Sequence, residues 1–265
     1  LAIEAARGMY TPTLVPYMHS LGGDKHAVAL AAAVPSMART VCAFVVGPLC
    51  DRVALRAVLI ACLLLAIIGN VLHLLSLAPA TLVVSRAFLG ASFAEIVPAR
   101  TYAALSTSAD RRVAAFADVS AAQLLGIQLS PLLAAPLAPI RLSLGAWRFS
   151  ALNLGGALLA ACCAASIAFV LRHFNEPRGA CPTGAPTDAP DARAPAASKS
   201  RGVWPRRYAL GALALMDFSS RLLFSALELS MAIIADERYG WGVAPTALLL
   251  GCCGGVAILL LLSGA

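Results

Sequence analysis

Charge is scarce in this sequence. Asp, Glu, Lys and Arg make up 12% of its 265 residues, hydrophobic residues 60%, and the mean hydropathy is +0.83. Soluble domains carry roughly 25% charged and about 45–50% apolar residues, because a domain of this size must cover a large outer surface with polar groups. A soluble enzyme or binding domain is therefore excluded, and most of the chain is expected to have lipid as its solvent. Aromatic residues are also few, at 6%, and they do not interleave with the basic ones. The net charge of +7 thus lacks the basic, aromatic-lined face that holds nucleic acid, and no nucleic-acid partner is expected. No Cys-x-x-Cys occurs among the eight cysteines. Cys162-Cys163 and Cys252-Cys253 are adjacent pairs inside apolar runs, which fits helix packing better than a disulfide framework or a zinc site. His19, His26, His73 and His173 do not cluster, so neither a metal nor another cofactor is expected. No nucleophile–base pair stands out, and the chain does not read as an enzyme. No signal peptide is legible, since Glu4 and Arg7 interrupt the opening stretch; the first residue is Leu, so the natural amino terminus is expected upstream.

Long apolar runs are what the sequence has. A helix needs about 20 mostly apolar residues to cross a bilayer core, and such runs, ended by charge clusters and Gly/Pro breaks, occur at about 1–20, 26–50, 57–78, 81–106, 113–137, 148–172, 208–234 and 245–265. Backbone polar groups find no water in hydrocarbon, and the alternation of a β-barrel is absent. The fold class is therefore an all-α, polytopic bundle of eight membrane-crossing helices. Lys and Arg in the breaks set the orientation. With the first span running outward, the inner breaks carry Arg52, Arg56, Arg111, Arg112, Arg172, Arg178, Arg193, Lys199, Arg201, Arg206 and Arg207. The outer breaks carry only Lys25, Arg141, Arg148 and Arg238, a bias of eleven to four. The long break at 173–207, rich in Pro, Ala and Ser, reads as a flexible cytoplasmic linker. It divides a six-helix half, 1–172, from the first two helices of a second half, 208–265, which is the layout of a two-half transporter.

The most specific motif is Gly47-Pro48-Leu49-Cys50-Asp51-Arg52-Val53-Ala54-Leu55-Arg56, at the inner end of the second span. An acid at a helix carboxyl end opposes the macrodipole, so Asp51 is expected to pair with Arg52, Arg56 or the amino end of another helix. Gly47, one turn earlier, is expected to admit a close neighbouring helix. The alternative is an ordinary positive-inside loop. The fourth span adds Arg86-Ala87-Phe88-Leu89-Gly90. The fifth adds Gln123-Leu124-Leu125-Gly126-Ile127-Gln128-Leu129-Ser130-Pro131. In order, spacing and span number these resemble three motifs of the major facilitator superfamily: Gly-x-x-x-Asp-Arg with a following basic residue, Arg-x-x-x-Gly, and Gly-x-x-x-Gly-Pro. Ala54 and Ser130 stand where the family patterns have Gly. Pro12-Thr13, Tyr17, Leu21-Gly22-Gly23, Arg100-Thr101-Tyr102, Ala117-Asp118 and Ser225-Ala226-Leu227-Glu228 further resemble one branch. That branch comprises the lysosomal transporters linked to neuronal ceroid lipofuscinosis and the vacuolar phosphate transporters that carry an SPX domain. The resemblance implies a twelve-helix fold of which four helices are missing here. It also implies a cytoplasmic latch at Gly47, Asp51, Arg52 and Arg56, packing or hinge roles for Gly90, Gln123, Gly126 and Pro131, and a lysosomal or vacuolar membrane, the plasma membrane being the alternative.

Ionisable groups within spans cost about 2.5–3.5 kcal/mol each at a helix centre unless paired or wet, and so point to a transport path. Asp217, Arg221 and Glu228 fall within about 40° on a helical wheel, so that face is expected to look into the bundle or a watery cavity. Asp217 and Arg221 are spaced to pair, leaving Glu228 as an ion or proton group; a purely structural network is the alternative. Arg86, Gly90 and Arg100 lie within about 40° of one line, while Glu95 points the opposite way unless Pro98 bends the helix. Arg39, mid-way along the second span, and Arg100 are suited either to present donors to an anion or to neutralise Glu4, Glu95 or Glu228. Gly155-Gly156 and the glycines at 251, 254 and 255 read as close-packing positions. The expected function is secondary transport by alternating access of a small solute, by resemblance a small inorganic anion, coupled to an ion or proton. A channel or non-transporting receptor on the same fold is the alternative.

Overall fold

The computed structural model of the chain describes residues 2–137, 140–144, 147–150, 152–176, 230–231 and 233–262. Each expected span apart from 208–234 coincides with a helical segment: α1 (Ala2–Ser20), α2 (Lys25–Cys50), α3 (Leu55–Leu74), α4 (Pro79–Ser92) continuing into α5 (Ile96–Ser106), α6 (Arg112–Ala134), α7 (Leu154–His173) and α8 (Val243–Leu262). A shorter helical stretch occupies 233–239. Five of these segments, Lys25–Cys50, Leu55–Leu74, Pro79–Ser106, Arg112–Leu133 and Leu154–His173, are long and apolar enough to cross a bilayer. Most of the linker and of the 208–234 span, with Asp217, Arg221 and Glu228, lies outside the described residues.

Local chemistry sets the helix ends. Gly22 takes the left-handed backbone that closes the turn after α1, with φ of 80°. Asp24 then caps α2, its carboxylate accepting the Ala27 N–H at 2.8 Å. Pro79 opens α4, where its missing N–H costs nothing. Two details depart from the expectation. Arg141–Leu144 and Trp147–Ser150 form an antiparallel pair between α6 and α7, so the sixth span begins at Leu154 and not near 148. The fourth span is broken by a single 3-10 turn, Phe93–Glu95, before α5. Pro98 explains it, since it offers no N–H to the carbonyl of Ala94.

α1 is the central post. Ile3, Met9, Tyr10, Val15 and Met18 are almost wholly buried, although the helix contains both Pro12 and Pro16. It packs chiefly on α6 and α7; α4 packs on α2 and α3, α3 on α7, and α6 on α8. Small residues make the contacts tight. A Cβ at Gly8 would overlap the Ile127 carbonyl of α6, one at Gly90 the Pro35 backbone of α2, and one at Gly156 would lie 2.6 Å from the Asn70 carbonyl of α3. Apolar side chains also cover the outside: Met37, Val41, Phe44 and Val45 of α2 are each more than half exposed, as a helix facing an apolar medium requires.

Candidate functional site

Two buried polar clusters lie inside the bundle. In the first, Glu4 of α1 is fully buried and its Oε1 faces Arg39 Nη1 of α2 at 3.3 Å. Gln123 of α6 donates its Nε2–H to the same oxygen at 2.9 Å. Arg39 and Gln123 are both near the middle of their helices, roughly 21 and 17 Å from the outer ends at 1.5 Å per residue. Arg39 is thus ion-paired with Glu4, one of the acids it was expected to be suited to neutralise. Gln123, expected in a packing or hinge role, is a hydrogen-bond donor that ties α6 to this ion pair. Glu95 sits within electrostatic reach of Glu4 and Arg39, a placement that follows from the 3-10 turn before it.

The second cluster is nearer the carboxyl end of α3. The Tyr10 hydroxyl donates to Asn70 Oδ1 of α3 at 2.6 Å. The His73 ring lies against Tyr10, centroids 4.0 Å apart, and edge-on to Tyr17 at 5.1 Å. His73 Nε2 meets the Leu152 carbonyl at 3.1 Å, so this nitrogen carries the hydrogen, and Nδ1 is buried with no hydrogen-bond partner. Tyr17 donates to the carbonyls of His73 and Ser76, 3.1 Å each. The Arg86 guanidinium of α4 covers the Tyr10 ring at 4.6 Å from its centroid. Arg86 is only 6% exposed, its Nε and Nη2 have no hydrogen-bond partner, and no described carboxylate pairs with it. Stacking on a ring offsets part of the cost of burying a cation, on the order of 0.5–2 kcal/mol. Its N–H donors remain open.

The other expected site residues are dispersed. Arg100 is exposed on α5 and makes no ion pair with a described residue. Gly90 is the contact point of α4 on α2; Gly126 and Pro131 are buried on α6. At the inner loop Asp51 terminates α2 and its backbone N–H bonds the Leu49 carbonyl, but its carboxylate pairs with neither Arg52 nor Arg56. Asp51 and Arg52 are exposed. Arg56 turns instead to α7: its backbone N–H donates to Glu176 Oε1 at 2.7 Å and its guanidinium to the Leu171 carbonyl. A Cβ at Gly47 would meet nothing within 4 Å, so the close approach expected there is not made by any described residue. Sequence reasoning passed over Tyr10, Asn70 and His73. The available signal was a run of polar groups, Asn70 and His73, on one face of an otherwise apolar span.

The helical order and the polar interior meet in one family. The sequence matches the Major Facilitator Superfamily over residues 1–265. The chain belongs to this superfamily. It is accordingly an integral, multi-pass membrane protein, of a family whose members are transporters and not enzymes. Among solved structures, a mutant of the peptide transporter POT in complex with alafosfalin is similar. The identity is 18%, the TM-score is 0.53, and the likeness covers 88% of this chain and 46% of that one. At that identity the likeness concerns the fold, and the chain spans about half the length of that transporter. No curated protein matches the sequence.

Proposed function

We propose that the protein is a secondary transporter that moves a small inorganic anion by alternating access, across a lysosomal or vacuolar membrane. The observation that carries the anion reading is Arg86, a buried guanidinium with open donors and no described carboxylate beside it. A buried cation without a counter-charge is costly, and an anionic solute supplies that charge. The Glu4–Arg39–Gln123 tie supports a rigid 1–172 half, since it joins α1, α2 and α6. In this reading that half rocks against the half beginning at 208, with 173–207 as the cytoplasmic linker, and Arg100, Asp217, Arg221 and Glu228 belong to the path with Arg86. The inner loop of Gly47, Asp51, Arg52 and Arg56 is the cytoplasmic latch, engaged in only part of the cycle. The lysosomal or vacuolar location rests on sequence resemblance to that branch.

The test is uptake of labelled phosphate, sulfate and chloride into proteoliposomes holding the full-length protein. Saturable uptake of one of them is expected, falling at least about tenfold in Arg86→Gln, the loss of a charge-assisted hydrogen bond. Uptake unaffected by Arg86→Gln, Arg100→Ala and Glu228→Gln would remove these residues from the path. Single-channel currents far above any carrier turnover would replace the carrier with a channel.

A further inference from the structure

His73 adds to Arg86 something that the anion reading alone does not contain. Both groups lie on the same ring, Arg86 Cζ 4.6 Å and the His73 centroid 4.0 Å from the centre of Tyr10. Among the described residues, every other group seen to face them is uncharged. From α1 come Tyr10 and Tyr17, from α3 Asn70, from the approach to α7 the Leu152 carbonyl, and from α7 itself Cys163, whose sulfur is 3.9 Å from Asn70 Nδ2. Tyr10 and Tyr17 have their hydroxyl hydrogens committed to Asn70 and to backbone carbonyls. Among the described residues of this cluster, the buried side-chain polar atoms without a hydrogen-bond partner are thus Arg86 Nε and Nη2, both donors, and His73 Nδ1, an acceptor while the ring is neutral.

Protonation of Nδ1 turns that acceptor into a donor and places a second positive charge beside Arg86, with no acid among the described residues to receive it. Two cations buried together in a low-dielectric interior repel strongly. An anion on Arg86 reverses the balance, so anion and proton each favour the arrival of the other, and the coupling is reciprocal. We propose that Arg86 and His73 form a site that binds one small inorganic anion together with one proton, Arg86 holding the anion and His73 Nδ1 the proton. The proposal rests on the anion reading above and specifies its coupling ion.

The experiment uses the purified full-length protein in lipid nanodiscs, with chloride, nitrate and inorganic phosphate as probes. Anion affinity is followed by the rise in thermal stability, and proton uptake by a pH dye in weak buffer. At least one anion is expected to bind with uptake of up to one proton per chain, and its affinity to weaken about tenfold per pH unit above the titration of His73. His73→Phe, which keeps a ring on Tyr10, is expected to bind weakly without pH dependence or proton uptake, and Arg86→Gln to lose binding. Wild-type binding that is pH-independent and takes up no proton overturns the role of His73, whatever the variants do. No binding of any of the three anions overturns the site, leaving ordered water on these atoms. Proton-linked binding in a protein that moves no solute leaves the site standing and removes the transport reading. Flux that ignores both substitutions does the reverse.

Discussion

Arg39 and Arg86 are both buried guanidiniums in a membrane-embedded bundle, and their surroundings differ completely. Arg39 faces the Glu4 carboxylate, which Gln123 also supports. Arg86 faces an aromatic ring and neutral groups. A matched buried charge is an internal bond between helices, and its removal from one side strands its partner. An unmatched one contributes little to holding the bundle together, and its presence calls for a partner from outside the chain. The contrast separates architecture from function within a single half of the molecule.

The contrast is open to direct attack. The largest expected effect is that of Arg39→Met, which leaves Glu4 buried without its cation and should cost about 3–5 kcal/mol. The Glu4→Leu/Arg39→Met pair should recover most of it, as thermal unfolding in nanodiscs would reveal; no recovery would mean that Glu4 is not Arg39's main partner. Tyr10→Phe comes next. It keeps the ring under Arg86 but leaves Asn70 Oδ1 without a donor, a loss of about 1–3 kcal/mol by the same measurement. Arg86→Met should change stability by less than about 1 kcal/mol, because relief of charge burial offsets the lost ring contact, while anion uptake collapses. A destabilisation as large as that of Arg39→Met would erase the distinction between the two arginines. Smallest is Arg56→Ala, half-buried at the start of α3, below about 1 kcal/mol.

Much of the fold was legible because membrane helices announce themselves one at a time. The apolar run from 26 to 50 and the helix Lys25–Cys50 agree because the water–lipid boundary acts on each segment separately. Resemblance in motif order identified the superfamily, which the match over the whole chain supports. What the sequence did not disclose is what depends on contacts between segments. On a helical wheel Glu95 faces away from the Arg86 line. In the structure it lies within electrostatic reach of Glu4 and Arg39, and the 3-10 turn at Phe93–Glu95 is a feature that a wheel drawn with one constant angle has no place for. His73 was set aside because the histidines are far apart in sequence, yet its partners, Tyr10 and Arg86, are equally remote and meet it only through packing. Gly47 is a motif position for close helix contact at which no described residue comes within 4 Å of an added Cβ. Arg39 lay between two readings that only the position of Glu4 separates.

The two prolines of α1 have a mechanical consequence. Neither Pro12 nor Pro16 carries an N–H, so the carbonyls of Gly8 and Pro12 receive no backbone bond from the next turn. The central post is thus missing two rungs, one turn apart, between Glu4 near one end and Tyr17 near the other. Bending there strains little, because the bonds that would resist it were never formed. The post is nonetheless held on both sides of the gap, Tyr17 by the carbonyls of His73 and Ser76 and Glu4 by Arg39 and Gln123, so any flexing is confined to the turn between them.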